Sequence, residues 1–249
     1  MKKIIVANWK MNKTFEESAQ WLVEFNKKFK KRIKLDKQYR EAVFSNEFGI
    51  AMPPINLAAH VAFNKEKQLL LVGQDVSAFY SGAYTGDVSA EMLSEFNIKY
   101  VIVGHSERRK YHHETSSDVN LKAKAALEYG ITPLICFGES LEEYQQGRSK
   151  EVVKQKIMES SRDLDFSKVI ISYEPIWALG TGHSATPEFL HEMADYIRSI
   201  TSPQARIIYG GSVNAKNIKE LAKIKEINGF LIGKATLDID TFLEVIAVE

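Results

Sequence analysis

Cysteine is almost missing from the chain. Cys136 is the one thiol in 249 residues, so no internal disulfide can form, and a reducing compartment is expected. Long apolar runs are missing too. No stretch approaches the ~20 residues that a membrane span requires. The N-terminus starts like a signal peptide, with Lys2 and Lys3 before an apolar run, but Asn8 and Lys10 interrupt it too soon for an export signal. A cytoplasmic protein with no membrane partner is expected. Charge of one sign is scarce: the formal net charge is +1, which gives no whole-molecule attraction to nucleic acid. Neither H-E-x-x-H nor paired C-x-x-C occurs, so neither a metal nor a cofactor is expected. G-x-S-x-G is missing around Ser212, which weakens a hydrolase reading. No linker, low-complexity tract or short repeat divides the chain, and residues 1–249 are read as one domain.

Hydrophobic residues make up 45% of the chain, enough to bury a large core. They recur as short runs at 4–7, 48–52, 69–72, 100–103, 131–136, 169–173, 207–209 and 229–232. Most are aliphatic throughout rather than alternating, as in strands buried on both faces. Amphipathic stretches separate them. Residues 15–29 place Phe15, Ala19, Leu22, Val23 and Phe29 near one helix face, and residues 119–129 are rich in Ala and Leu and stop at Gly130. Thr186 caps a helix that opens with Pro187 and runs to about Ile200. Eight strands alternating with helices imply parallel pairing with right-handed crossovers. A closed (β/α)8 barrel is the natural α/β solution, and an open doubly wound sheet is its competitor. Residues 33–47 read as an irregular or extra helical connection. The basic cluster Lys27, Lys28, Lys30, Lys31, Arg32, Lys34 and Lys37 reads as a solvated helix end, whose cations suit the helix dipole, rather than a nucleic-acid patch.

The strands end in polar residues or glycine. Asn8-Trp9-Lys10 follows the first, Gly104-His105-Ser106-Glu107 the fourth, and Glu174-Pro175 the sixth; Gly210-Gly211-Ser212 and Gly233 follow the seventh and eighth. In a parallel barrel these ends share one rim. A carboxylate in a water-poor pocket can take a proton from carbon beside a carbonyl. A neutral imidazole and an ammonium can stabilise the enediolate that results. Glycine-rich turns let backbone N–H groups approach a phosphate. Each residue alone also has a plain reading: Lys10 as a surface lysine, His105 as a satisfied structural histidine, Glu174 as a helix cap. Their joint placement at strand ends favours chemistry. His112 and His113 read as solvent-facing helix residues, His60 and His191 as helix residues without partners, and Cys136 as packing. The run from Gly180 to Ala185 matches a dinucleotide fingerprint, but residues 174–177 separate it from its strand, which argues against nucleotide binding.

The segments at 8–10, 104–109, 173–182 and 209–213 together resemble the triosephosphate isomerase family, in order and over nearly the whole chain. The resemblance implies a (β/α)8 barrel that interconverts dihydroxyacetone phosphate and glyceraldehyde 3-phosphate. It implies Glu174 as base and His105 as a neutral imidazole moving protons between the substrate oxygens, at a positive helix end that disfavours imidazolium. Lys10 would hold developing negative charge and Asn8 would orient the site, with Glu107 behind them. Gly180, Ser212, Gly233 and Lys234 would face the phosphate. Pro175, Ile176, Trp177, Ala178, Leu179, Gly180, Thr181, Gly182, His183, Ser184 and Ala185 would form a mobile lid that excludes water. The family is usually a homodimer, and the loop around Thr85 would reach the neighbour's Asn8–Lys10 region.

The chain departs from the family in four places. Lys234 stands where a glycine is usual, at a strain cost of roughly 1 kcal/mol if that position needs positive φ. The second lid hinge reads His183-Ser184-Ala185, and Asp75 replaces an asparagine at an expected subunit contact. Residues 33–47 are unlike the family in sequence. Other phosphate-binding barrels, such as an aldolase or an indole-type synthase, share the phosphate site but not Glu174 with this lid. A catalytically silent scaffold would need none of Asn8, Lys10, His105 and Glu174.

Overall fold

The computed structural model describes residues 2–178 and 185–249. Strands β1 (Ile4–Asn8), β2 (Glu47–Ala51), β3 (Leu69–Gly73), β4 (Tyr100–Val103), β5 (Thr132–Phe137), β6 (Ile170–Tyr173), β7 (Arg206–Tyr209) and β8 (Gly229–Ile232) pair in parallel and close into a barrel in chain order. Closure is the β1–β8 pairing, which matches Ile4 with Gly229 and Ala7 with Ile232. The open-sheet alternative is excluded.

Around the barrel lie α1 (Phe15–Leu35), α2 (Lys37–Ser45), α3 (Leu57–Phe63), α4 (Ala90–Ser94), α5 (Ser106–Tyr111), α6 (Ser116–Glu128), α7 (Leu141–Gln145), α8 (Ser149–Ser160), α9 (Pro187–Ile200), α10 (Ile218–Ala222) and α11 (Ile239–Val245). Alternation along each strand divides the apolar residues into two cores. Ile4, Val6, Ala51, Val72, Ile102, Leu134, Cys136, Ile170, Ile208 and Leu231 fill the barrel interior. Ile5, Ala7, Phe48, Ile50, Val101, Ile135, Ile171 and Phe230 pack outward against the helices. Both faces are buried, which explains why the strands read as continuous apolar runs.

Local chemistry sets the helix ends. Thr14 opens α1 with a reciprocal capping box to Glu17, and Thr186 accepts from the Phe189 N–H ahead of Pro187. Gly130, at φ +71°, ends α6 in the conformation expected of it. The face assigned to α1 needs correction. Its buried stripe is Ser18, Trp21, Leu22, Phe25, Asn26 and Phe29, whereas Phe15 and Val23 are exposed. The stripe follows the stacked aromatics Trp21, Phe25 and Phe29, four residues apart on one face.

Residues 33–47 contain the end of α1 and all of α2. Asp36 closes one helix and caps the next by accepting from Tyr39 N–H. The Tyr39 hydroxyl donates to Leu243 O at 2.8 Å, and Asn46 Nδ2 donates to Val248 O at 2.7 Å, so the segment clasps the chain's C-terminal end. The neighbouring basic cluster is partly paired. Lys28 meets Asp240 at 2.8 Å, Lys30 meets Glu66 at 3.4 Å, and Arg32 stacks over the Tyr39 ring. His60 has a partner after all: its Nε2 is 3.2 Å from Leu69 O, and burial pushes its pKa down to about 4. His112 caps the end of α5 and His113 lies beyond it at φ +56°, both exposed but neither inside a helix. No helix among the described residues is long and apolar enough to cross a membrane.

Candidate active site

The strand ends open into a cavity of about 950 Å³ lined by Asn8, Lys10, His105, Glu107, Glu174, Ser212, Gly233 and Lys234. Residues more than 200 positions apart meet because parallel strands deliver all their C-terminal ends to one rim.

Lys10 is held in a strained backbone conformation, with φ +52°. Two bonds keep it there: its N–H donates to Asn8 Oδ1 at 3.0 Å, and its carbonyl accepts from Gln74 Nε2 at 2.9 Å. Gln74 also donates to Ala51 O at 2.8 Å, tying the ends of β1, β2 and β3 together. The Lys10 ammonium sits 2.7 Å from Glu107 Oε1, so the acid behind the site is the lysine's counter-ion.

His105 is the N-cap of α5, and it is buried. Its Nδ1 accepts from the Glu107 N–H at 3.2 Å. An imidazolium would turn an N–H toward that N–H, so the bond selects a neutral ring carrying its proton on Nε2. That Nε2 is 3.7 Å from Glu174 Oε2. The Glu174 carboxylate is itself buried, at 1% exposure. Ser172 Oγ donates to Oε1 at 3.3 Å, while Oε2 has no hydrogen-bond partner. Backbone clearance makes room for the group. A Cβ on Gly210 would lie 2.5 Å from Glu174 Cγ, and one on Gly138 would lie 1.8 Å from Glu174 O. Only glycine fits either place.

Sequence reasoning missed Glu139, Gly138, Ser172 and Gln74. Glu139 is fully buried and accepts from Tyr173 Oη at 3.0 Å, Trp177 Nε1 at 2.9 Å and Ser149 Oγ at 3.3 Å. It therefore grips the start of the expected lid, where Ile176–Ala178 forms a 3-10 turn and Trp177 stacks on Tyr144 at 4.3 Å. A buried acid among three donors leaves no periodic trace in sequence; the one available signal was its place just after β5. Pro175 and Ala185 are buried, but Leu179, Gly180, Thr181, Gly182, His183 and Ser184 lie outside the described residues.

Lys234 opens the 3-10 turn Lys234–Leu237, capped by Gly233. It is not among the residues with positive φ, so the anticipated strain does not arise, and what remains is an added cation on the cavity wall. Ser212 lines the same wall, and its carbonyl accepts from Asn217 Nδ2.

Asp75 is tied to side chains of its own chain. It pairs with Lys122 and Arg108, each at 2.8 Å, beside Glu114. Burial pushes its carboxyl pKa up, Lys122 opposes that shift, and the Glu114 charge adds to it. A second cavity of about 590 Å³ adjoins this network and reaches Asn8, Lys10 and Glu107. Thr85 is exposed on the loop nearby, where Phe79 and Tyr84 stack at 3.9 Å.

Away from the rim, His191, Asp195 and Glu226 offer ligand atoms within 4.8 Å of one another. His191 thus has partners, contrary to expectation. Its Nδ1 faces Glu226 at 2.9 Å and its Nε2 faces Asp195 at 3.6 Å. Carboxylates on opposite ring nitrogens suit a protonated imidazole, whose pKa the Glu226 hydrogen bond raises, rather than three ligands converging on one ion.

Comparison with known proteins places this geometry in context. The sequence model described as "Triosephosphate isomerase" matches residues 3–249. The chain is 46% identical to the triosephosphate isomerase of Mycoplasmopsis pulmonis (strain UAB CTIP) over 252 residues, covering 99% of this chain and 98% of the relative. It is 43% identical to that of Mesomycoplasma hyorhinis, with coverage of 99% and 98%. It is 40% identical to that of Dictyoglomus thermophilum, with coverage of 98% of each chain.

Proposed function

The chain belongs to the triosephosphate isomerase family, and from that premise we propose that it interconverts dihydroxyacetone phosphate and D-glyceraldehyde 3-phosphate with Glu174 as the base that moves the carbon-bound proton. The observation that carries the assignment is the Glu174 carboxylate: buried, with one oxygen bare, 3.7 Å from a histidine nitrogen whose ring is held neutral from the other side.

The chemistry follows from these groups. Glu174 Oε2 takes a proton from the substrate carbon that carries the hydroxyl, and the electron pair moves into a carbon–carbon double bond. The carbonyl oxygen becomes an enediolate oxygen, to which His105 Nε2 delivers its proton. The same ring recovers a proton from the neighbouring hydroxyl, and Glu174 returns its own proton to the adjacent carbon. The Lys10 ammonium holds the negative charge as it develops, and the strained backbone that presents it is of the kind found at functional sites. Asn8 fixes that backbone. Ser212 and Gly233 face the phosphate with backbone N–H groups, and Lys234 adds its charge there.

On this reading the protein acts in glycolysis and gluconeogenesis, in the cytoplasm. Assembly as a homodimer is part of the same reading. The second cavity, with exposed Met11 on its rim, is where the Thr85 loop of another copy would dock. A coupled assay of glyceraldehyde 3-phosphate conversion, with Glu174→Gln beside wild type, is the deciding experiment. Wild type should be faster by about 10³-fold, and equal rates would refute the assignment.

A further inference from the structure

Serine 172 is out of character with its surroundings. Side chains at 170, 172 and 174 point to one face, because alternation has a period of two. Ile170 therefore lies in the barrel interior below Ser172, and Glu174 above it. The interior cluster that contains Ile170 also holds Ile4, Val6, Val72, Leu134 and Leu231. Ser172 is fully buried, opposite Cys136 on β5. A hydroxyl at such a depth is costly unless it is hydrogen-bonded, and alanine would fill the place without that cost. Its bond goes to Glu174 Oε1, at 3.3 Å.

From this we infer that Ser172 is a positioning residue for the base: its hydroxyl holds Oε1 of Glu174 and leaves Oε2 as the oxygen that meets the substrate carbon. This rests on the reading of Glu174 as the base. A carboxylate has two oxygens and a soft terminal torsion, so with only the weak thiol donor of Cys136 beside it its orientation would be loosely held. Ser172 holds Oε1 from below, and Gly210, having no Cβ, leaves room for that oxygen and for Cγ. The hydroxyl also gives the buried carboxylate a hydrogen-bond donor at a depth where water does not supply one. The titratable groups facing the carboxylate are His105 at the end of β4, Arg109 on α5 and Cys136 on β5. The Cys136 thiol, pushed up by burial and then by the Glu174 charge, stays neutral. Arg109 bonds Gly104 O and Ser160 Oγ, so it does not replace the serine.

The test uses Ser172→Ala, with kcat and KM for glyceraldehyde 3-phosphate measured across pH, inorganic phosphate as competitive inhibitor, and the same change repeated in Glu174→Gln. The expected result is kcat down about five- to tenfold, the loss of one hydrogen bond. KM and phosphate inhibition should stay within about twofold, because the phosphate site is elsewhere on the rim. In Glu174→Gln the added substitution should cost nothing further, since it acts through the carboxylate. A wild-type kcat would overturn the inference, as would the same fold-loss in both backgrounds. A Glu174→Gln enzyme as fast as wild type would overturn the assignment of the base as well, which separates the two failures.

Discussion

Two buried carboxylates, Glu139 and Glu174, sit just beyond neighbouring strands, and the molecule treats them in opposite ways. Glu139 is surrounded by Tyr173, Trp177 and Ser149, each donating to it. Glu174 has the Ser172 hydroxyl and the weak thiol donor of Cys136, and its Oε2 has no partner. A buried charge is tolerated when donors replace water, so Glu139 is a structural anchor. A buried charge left short of donors is reactive, and its retention is a cost in stability that points to function. Burial alone does not distinguish the two residues, because both are almost completely covered. The count of donors does.

The contrast can be broken first at its reactive end. Glu174→Gln should lower kcat/KM by about 10³-fold while leaving the melting temperature unchanged or higher, since a neutral amide is easier to bury. A large drop in melting temperature would place Glu174 with the anchors. Glu139→Ala should do the reverse. It strands three donors at roughly 1–3 kcal/mol each, so chemical denaturation should show a loss of about 4 kcal/mol. Its rate should fall far less than that of Glu174→Gln, through a loosened Trp177 rather than through lost chemistry.

His60 sharpens the contrast by titration. Its folded pKa, about 4, is depressed below the ordinary histidine value of 6.5, so the unfolded chain binds the extra proton first as pH falls. The contribution is complete above pH 6.5 and is lost progressively toward pH 4. Between pH 7.5 and 4.5, wild type should lose about 2.5 kcal/mol more stability than His60→Gln, read from urea midpoints. Equal losses would mean that the ring titrates alike in both states. The smallest effect is expected from Lys234→Gly, at an exposed rim position with no backbone strain to relieve. KM and the inhibition constant of phosphate should rise about threefold, with kcat unchanged, as for one solvent-screened charge. An unchanged pair of constants would discard the added cation as a phosphate ligand.

Much of the site was legible because chemistry and topology coincide in a parallel barrel. Asn8, Lys10, His105 and Glu174 each follow an apolar run, and strand ends share a rim. Glu139 follows a run in the same way, yet nothing in the local sequence says that Tyr173, Trp177 and Ser149 converge on it. Ser172 lies inside a run and reads as a tolerated small residue. Gln74 was visible only as the neighbour of Asp75. The buried face of α1 was misjudged by placing Phe15 and Val23 on it, since several apolar stripes fit one 3.6-residue period and packing against the barrel chooses among them.

By itself the sequence determined where the strands and three of the longer helices lie, and which polar residues end them, because hydrophobic period and capping chemistry act over a few neighbouring residues. Only the tertiary structure decided the state of each buried polar group: Glu174 short of donors, Glu139 saturated, His105 held neutral by Glu107 N–H, Asp75 tied to Lys122. Those states depend on which distant side chains share a low-dielectric space, and that is a property of the closed barrel rather than of any segment of chain.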